Sequence, residues 1–186
     1  MSETLLWAVR AWVQERSAQA GHLERALEWA VELEPEASQA VQLATLSHDM
    51  ERAFPEGSPP WSEGCWADVL YRMAHSERSA RIVGDFLRDQ AAPEPLVRQV
   101  ARLIVAHEFG GWGEADLIQA ADSLSFLETI QPVIMRRMAA GQLSAAGARQ
   151  WLDFQYGRIR LERARVAGLA LLRAAHESLE RELSSA

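Results

Sequence analysis

The chain contains no lysine: all 19 of its basic residues are arginines. That absence excludes lysine Schiff-base chemistry and the lysine of a phosphate-binding loop. Cysteine is nearly missing as well. With Cys65 alone among 186 residues, neither a disulfide framework nor a thiolate metal cluster can form, and a reducing compartment is expected. Excess positive charge is lacking too. A net charge of −7 argues against general nucleic-acid binding, which needs a basic surface, but it leaves room for a small phosphorylated or anionic ligand. No apolar run approaches the length of a membrane span, and the opening M-S-E-T-L-L-W-A-V-R lacks the basic stretch and long apolar core of a secretory leader. A cytoplasmic protein without membrane contact is the expectation. Internal repeats, low-complexity tracts and the alternating runs of β-strands are absent.

What is present is helical periodicity. A hydrophobic content of 48% suffices for one domain spanning 1–186 with a sizeable core. Apolar spacing predicts helices over 3–20, 22–33, 37–53, 65–90 (split near His75), 94–109, 114–128 and 132–140, then a long Arg- and Ala/Leu-rich helical segment from 144 to 184. The fold class is all-α, with a core over about 20–130 and C-terminal helices over about 131–186 that buttress it or form a homodimer surface. One long loop, P-E-G-S-P-P-W-S-E-G, is rich in turn formers and is expected as a surface connection or as a rim over a site, with Trp61 and Trp66 packing it. Trp7, Trp12, Trp29 and Trp151 fall in helical periods and read as core or interface anchors. Trp112 is a candidate pocket wall. The run R-I-R-L-E-R-A-R at 158–165 reads as a solvated face.

Against this pattern, polar groups stand where apolar ones belong. His48 ends the run A-V-Q-L-A-T-L-S-H-D on the same face as Val41, Ala44 and Thr45. His22 joins Leu23, Ala26, Leu27 and Ala30. His75 shares a face with Ser79, Val83 and Phe86, and His107 lies on the stripe of Val100, Leu103 and Ile104. Asp122 sits in L-I-Q-A-A-D-S-L-S-F-L among apolar or small neighbours. A single such histidine is ordinarily a hydrogen-bonded core residue, but four of them, with two aspartates, on successive helices point to a divalent metal, because buried imidazoles and carboxylates must be paired or ligated. His176 lies among polar residues and reads as a surface histidine.

The order H…HD…H…H…D, with A-T-L-S-H-D and I-Q-A-A-D-S-L-S-F, resembles the HD-domain superfamily of metal-dependent phosphohydrolases over residues 20–130. The resemblance implies an HD-type helical bundle in which His22, His48, Asp49 and Asp122 hold a first metal ion. His75 and His107 complete a second, with Asp49 bridging. It implies one or two divalent ions (Fe, Mn, Co, Ni, Zn or Mg) and hydrolysis of a phosphate ester or anhydride in a small molecule or nucleotide. Mixed-valent di-iron oxygenases share the ligand set, and a non-catalytic metal-stabilised regulatory module is a third reading. Where hydrolytic relatives often carry an acidic residue three places after the aspartate, this chain has Arg52. Arg78 and Arg81, one turn and two turns after His75, are candidate phosphate clamps, with Arg52 the next. Glu51 and Glu108, each adjoining an expected ligand, are candidate proton-transfer groups.

Overall fold

The computed structural model describes residues 2–185, and among them every regular element is helical. The helices are α1 (Ser2–Arg16), α2 (Ala20–Leu33), α3 (Gln39–Ser47), α4 (Val69–Asp89), α5 (Glu94–Ala106), α6 (Gly113–Thr129), α7 (Gln131–Ala139), α8 (Ala145–Gly157) and α9 (Glu162–Ser185), with short 3-10 turns at Met50–Ala53 and Cys65–Ala67.

Helix α6 is the axis of the molecule. All of its residues from Leu117 to Leu127 are buried, as expected of a helix that is apolar or small all round. On one side it meets α2, α3 and α5, and on the other α8 and α9. Val41, Leu43, Val100, Leu103, Ile104 and Ile118 fill the first interface, while Phe126, Leu127, Ile134, Leu152 and Leu179 fill the second. The expected metal-binding residues lie between the two.

Side-chain caps and prolines set the helix boundaries. The Ser38 hydroxyl accepts the Val41 N–H at 3.3 Å and starts α3. Asp68 accepts the Leu70 and Tyr71 N–H groups at 2.8 and 3.3 Å, so α4 begins only at Val69. The break expected near His75 does not occur. Ser76 donates back to the Arg72 carbonyl at 2.8 Å, so this polar stretch satisfies itself within a continuous helix.

The segment expected as one helix from 144 to 184 is two, divided at 158–161. Ile159, 2% exposed, closes a cluster with Ala120, Leu124 and Ala164. Burying it turns the chain and carries its neighbour Arg158 inward.

Candidate metal centre

The six expected ligands arrive on five rigid helical regions. His22 is in the first turn of α2, His48 caps the C-terminus of α3 and Asp49 follows it. His75 is in mid α4, His107 caps α5 and Asp122 is in mid α6. His48, His75 and His107 are completely buried, and His22 and Asp122 nearly so.

The six side chains converge. His22 Nε2 and His48 Nε2 lie 3.1 and 3.3 Å from the same oxygen of Asp122. His75 Nε2 and His107 Nε2 lie 2.7 and 4.0 Å from one oxygen of Asp49. Ring centroids step across the site from His22 to His48 (5.6 Å), His48 to His107 (4.9 Å) and His107 to His75 (5.6 Å). Three sets, His22/His48/Asp122, His48/Asp49/His107 and His75/His107/Glu108, each keep their candidate ligand atoms within 4.8 Å of one another. Two ligands on opposite sides of one transition-metal ion, each about 2.0–2.3 Å from it, are separated by about this much.

The second nitrogen of every imidazole is already engaged. His48 Nδ1 and His107 Nδ1 donate to the Thr45 and Ile104 carbonyls at 2.8 and 2.6 Å. His75 Nδ1 donates to Glu51 at 3.0 Å. Ser125 gives its one hydroxyl proton to the His22 carbonyl at 2.7 Å, so at 2.9 Å it accepts from His22 Nδ1. A proton on Nδ1 turns the Nε2 lone pair inward, which is the arrangement that outer partners impose on metal-ligating histidines. His48 Nε2 and His107 Nε2 are buried and make no hydrogen bond, so the donor set fits a divalent ion.

Burial disfavours a charge on His48, but Asp122 and Asp49 beside it raise its pKa to about 9, so a cation binding there has to displace the Nε2 proton. His107 is pushed down to about 4 by burial, with His48 and His75 also opposing its protonation. Despite burial, Arg52 and His75 hold Asp49 well below the usual carboxylate range, and Arg158 and His48 do the same for Asp122. Two buried carboxylates that stay ionised draw positive charge to the space between them.

The chain matches no family model, curated protein or solved structure. The roles of its residues therefore rest on this geometry.

Several expected residues do other work. Glu51, 1% exposed, turns away from the centre to hold His75 Nδ1, the Ser58 hydroxyl and Arg78; it is a positioning group for His75. Arg78 is not at the metal residues. It binds Glu51, Ser58 and the Glu56 carbonyl and pins the long loop. Arg81 lies with Glu56, Glu77 and Arg78 on a separate surface depression. Arg52 does reach the centre, donating to Asp49 at 2.9 Å and to the Tyr71 hydroxyl at 3.3 Å. Glu108 faces the cavity, with one oxygen 3.7 Å from His107 Nε2 and the other on Arg158. Trp112 sits instead against Arg102, 4.7 Å from its ring, and Trp7 is 69% exposed. His176 pairs with Asp153 away from the centre.

The sequence reading missed Arg158. Its guanidinium spans Glu108 and Asp122, with both ion pairs buried, whereas its alternating charged surroundings suggest a solvated face. The signal that could have located it is Ile159, a β-branched apolar residue two positions after Gly157 in a polar run. Beside this His/Asp cluster lies a cavity whose lining includes Arg52, Arg72 and Arg137 together with Trp61, Trp151 and Phe154. Trp61 and Trp66 of the loop region do line it, as a rim would.

Proposed function

We propose that this chain is an HD-type metal-dependent hydrolase that cleaves a phosphate ester or anhydride in a small molecule. The observation that carries the reading is the convergence of four Nδ1-tethered imidazoles on Asp49 and Asp122, next to a cavity whose walls carry three guanidinium groups. His22, His48, Asp49 and Asp122 would hold one ion, and His75 and His107, sharing Asp49, a second. Imidazole and carboxylate ligands suit Fe, Mn, Co, Ni or Zn. A divalent ion there supplies a water of lowered pKa and Lewis acidity toward a phosphoryl oxygen.

The chain's own residues supply the rest. Arg52 holds the outer oxygen of Asp49, leaving the inner one for the histidines. Glu108, paired with Arg158 and 3.7 Å from His107 Nε2, is positioned to move a proton at the edge of the centre. The guanidinium-lined wall draws in an anion and offsets charge that builds on phosphoryl oxygens.

A second reading is favoured by one observation, the approach of both His75 and His107 to Asp49. Two ions sharing a carboxylate are also what a mixed-valent di-iron oxygenase requires. The test is metal analysis of protein purified without added metal, joined to a phosphate-release screen over phosphorylated metabolites. Phosphate release dependent on Mn, Co, Ni or Mg supports the hydrolase. Two equivalents of iron with no phosphate release overturn it in favour of the oxygenase. Asp49→Ala is expected to lose tight metal binding in either case, and unchanged metal content in that variant would refute the centre itself.

A further inference from the structure

Three carboxylates approach the Nε2 atoms of the centre, and each is divided in the same way. Asp122 turns Oδ1 to His22 and His48 and gives Oδ2 to Arg158. Asp49 turns Oδ1 to His75 and His107 and gives Oδ2 to Arg52. Glu108 turns Oε1 to His107 and gives Oε2 to Arg158. Two guanidinium groups thus take one oxygen from each of the three.

The arginines are themselves fixed by contacts outside the imidazole cluster. Arg52 follows Asp49 by three residues on the 3-10 turn, and its Nη1 donates to the Tyr71 hydroxyl at 3.3 Å. Arg158 enters from the break between α8 and α9, and its Nε donates to the Ser123 hydroxyl at 2.9 Å. A planar guanidinium held at two or three of its N–H groups has little freedom to follow a carboxylate that rotates. For Asp49 or Asp122 to chelate an ion through both oxygens, Oδ2 would have to leave a charge-assisted hydrogen bond largely shielded from water. Each carboxylate therefore fills a single position on an ion. Ligands that fill few positions leave the rest to water and substrate, which is what separates a catalytic metal site from a closed structural one.

We infer that Arg52 and Arg158 are positioning residues that restrict Asp49 and Asp122 to one oxygen each and so keep exchangeable positions open on the bound ions. The inference rests on the metal centre of the proposed function and is independent of the reaction carried out there.

The test counts water. Full-length protein loaded with Mn(II), as wild type, Arg52→Met and Arg158→Met, is followed by water-proton relaxation, which reports exchangeable waters on the ion, and Mn affinity is measured in parallel against a competing chelator. Methionine is unbranched and flexible like the arginine stem but carries no donor. Six-coordinate Mn ions held by four and by three of the ligand residues keep about five water positions between them, of which the freed oxygen takes one, so the inner-sphere relaxation is expected to fall by about a fifth in each variant. Affinity is expected to hold or to rise, because the ion gains a ligand atom. Arg52→Lys, whose ammonium can still donate to Oδ2, is expected to relax water as the wild type does. Should Arg158→Met fail to fold, Arg52→Met decides, since Arg52 is partly exposed at the cavity. Relaxation that is unchanged or increased, whatever the affinity, overturns the inference and leaves the arginines as supports of ligand orientation alone. A fall in relaxation in a protein that hydrolyses no phosphate ester keeps the inference and removes the hydrolase reading. Phosphate release by the wild type, joined to unchanged relaxation in both variants, does the reverse.

Discussion

Ser125 shows how much of the centre depends on single protons. It uses its only hydroxyl proton on the His22 carbonyl, which obliges it to accept from His22 Nδ1 and turns His22 Nε2 toward Asp122. Ser125→Ala removes that constraint while leaving a small, helix-compatible side chain, so the fold is expected to persist. Metal affinity is expected to fall about 10- to 100-fold, the usual cost of losing an outer hydrogen-bond partner of a ligating histidine. Titration of the variant with a competing chelator measures it, and an unchanged affinity would show that His22 needs no such partner. At this scale the ligands were legible because a buried histidine violates an apolar stripe, and the violation is visible in the sequence itself. The arginines were not legible. Arg78 has the right spacing from His75 to reach the pocket, but Glu51, 27 positions away, captures it. Arg158 carries every mark of a surface residue until Ile159 drags its segment inward. Which carboxylate an arginine meets is decided by tertiary packing, and local periodicity does not contain it.

Among the elements, the long loop from Phe54 to Gly64 is the one whose behaviour the sequence left open. It is fastened at both ends. Arg78 and Glu51 grip Ser58 and the Glu56 carbonyl, and Glu63 accepts the Ser144 N–H at 2.8 Å and the Ser144 hydroxyl at 2.7 Å. Glu63 thus places a negative charge at the N-terminus of α8, where the helix dipole favours it. Gly147 lies so close beneath that carboxylate that a Cβ there would collide with it. Between the two fastenings, Trp61 reaches over the cavity. Glu63→Gln is expected to loosen the segment and speed its cleavage in limited proteolysis, without changing metal content. The effect depends on pH. The contacts to Ser144 hold the Glu63 carboxyl below its ordinary pKa of 4.5, so its contribution is complete above about pH 4.5 and is lost as pH falls through the lower folded value. Wild-type cleavage should therefore approach that of the variant only in acid, and equal rates for the two at neutral pH would show that Glu63 does not fasten the loop. The helices themselves were mostly legible from their periodicity, as the match of α2, α5 and α6 to the expected 22–33, 94–109 and 114–128 shows. The division between α8 and α9 was not, because an Arg- and Ala-rich run carries no proline at 158–161 to announce a break.

For the molecule as a whole, the centre ties the N-terminal helices to the C-terminal ones, alongside contacts such as Arg163 with Glu34 and Ser144 with Glu63. His22, His48, His75 and His107 come from the N-terminal helices, while Arg158, which holds Asp122 and Glu108, comes from the junction of α8 and α9. Ions held by the six ligand residues would draw on five separate helical regions, and an unfolded chain cannot reproduce that arrangement. Binding to the native state alone stabilises it by RT ln(1 + [M]/Kd), about 2.7 kcal/mol at a free metal concentration 100 times Kd. For a chain of this length each kcal/mol moves the melting temperature by about 2–4 °C, so the bound ion is expected to raise it by about 5–11 °C. Chelation should reverse the rise. Asp49→Ala should melt at the same temperature with and without metal, because Asp49 is the carboxylate that approaches both His75 and His107. An equal rise in wild type and variant would place the stabilising ion somewhere other than between these residues, and would detach the C-terminal helices from the centre that Arg158 ties them to.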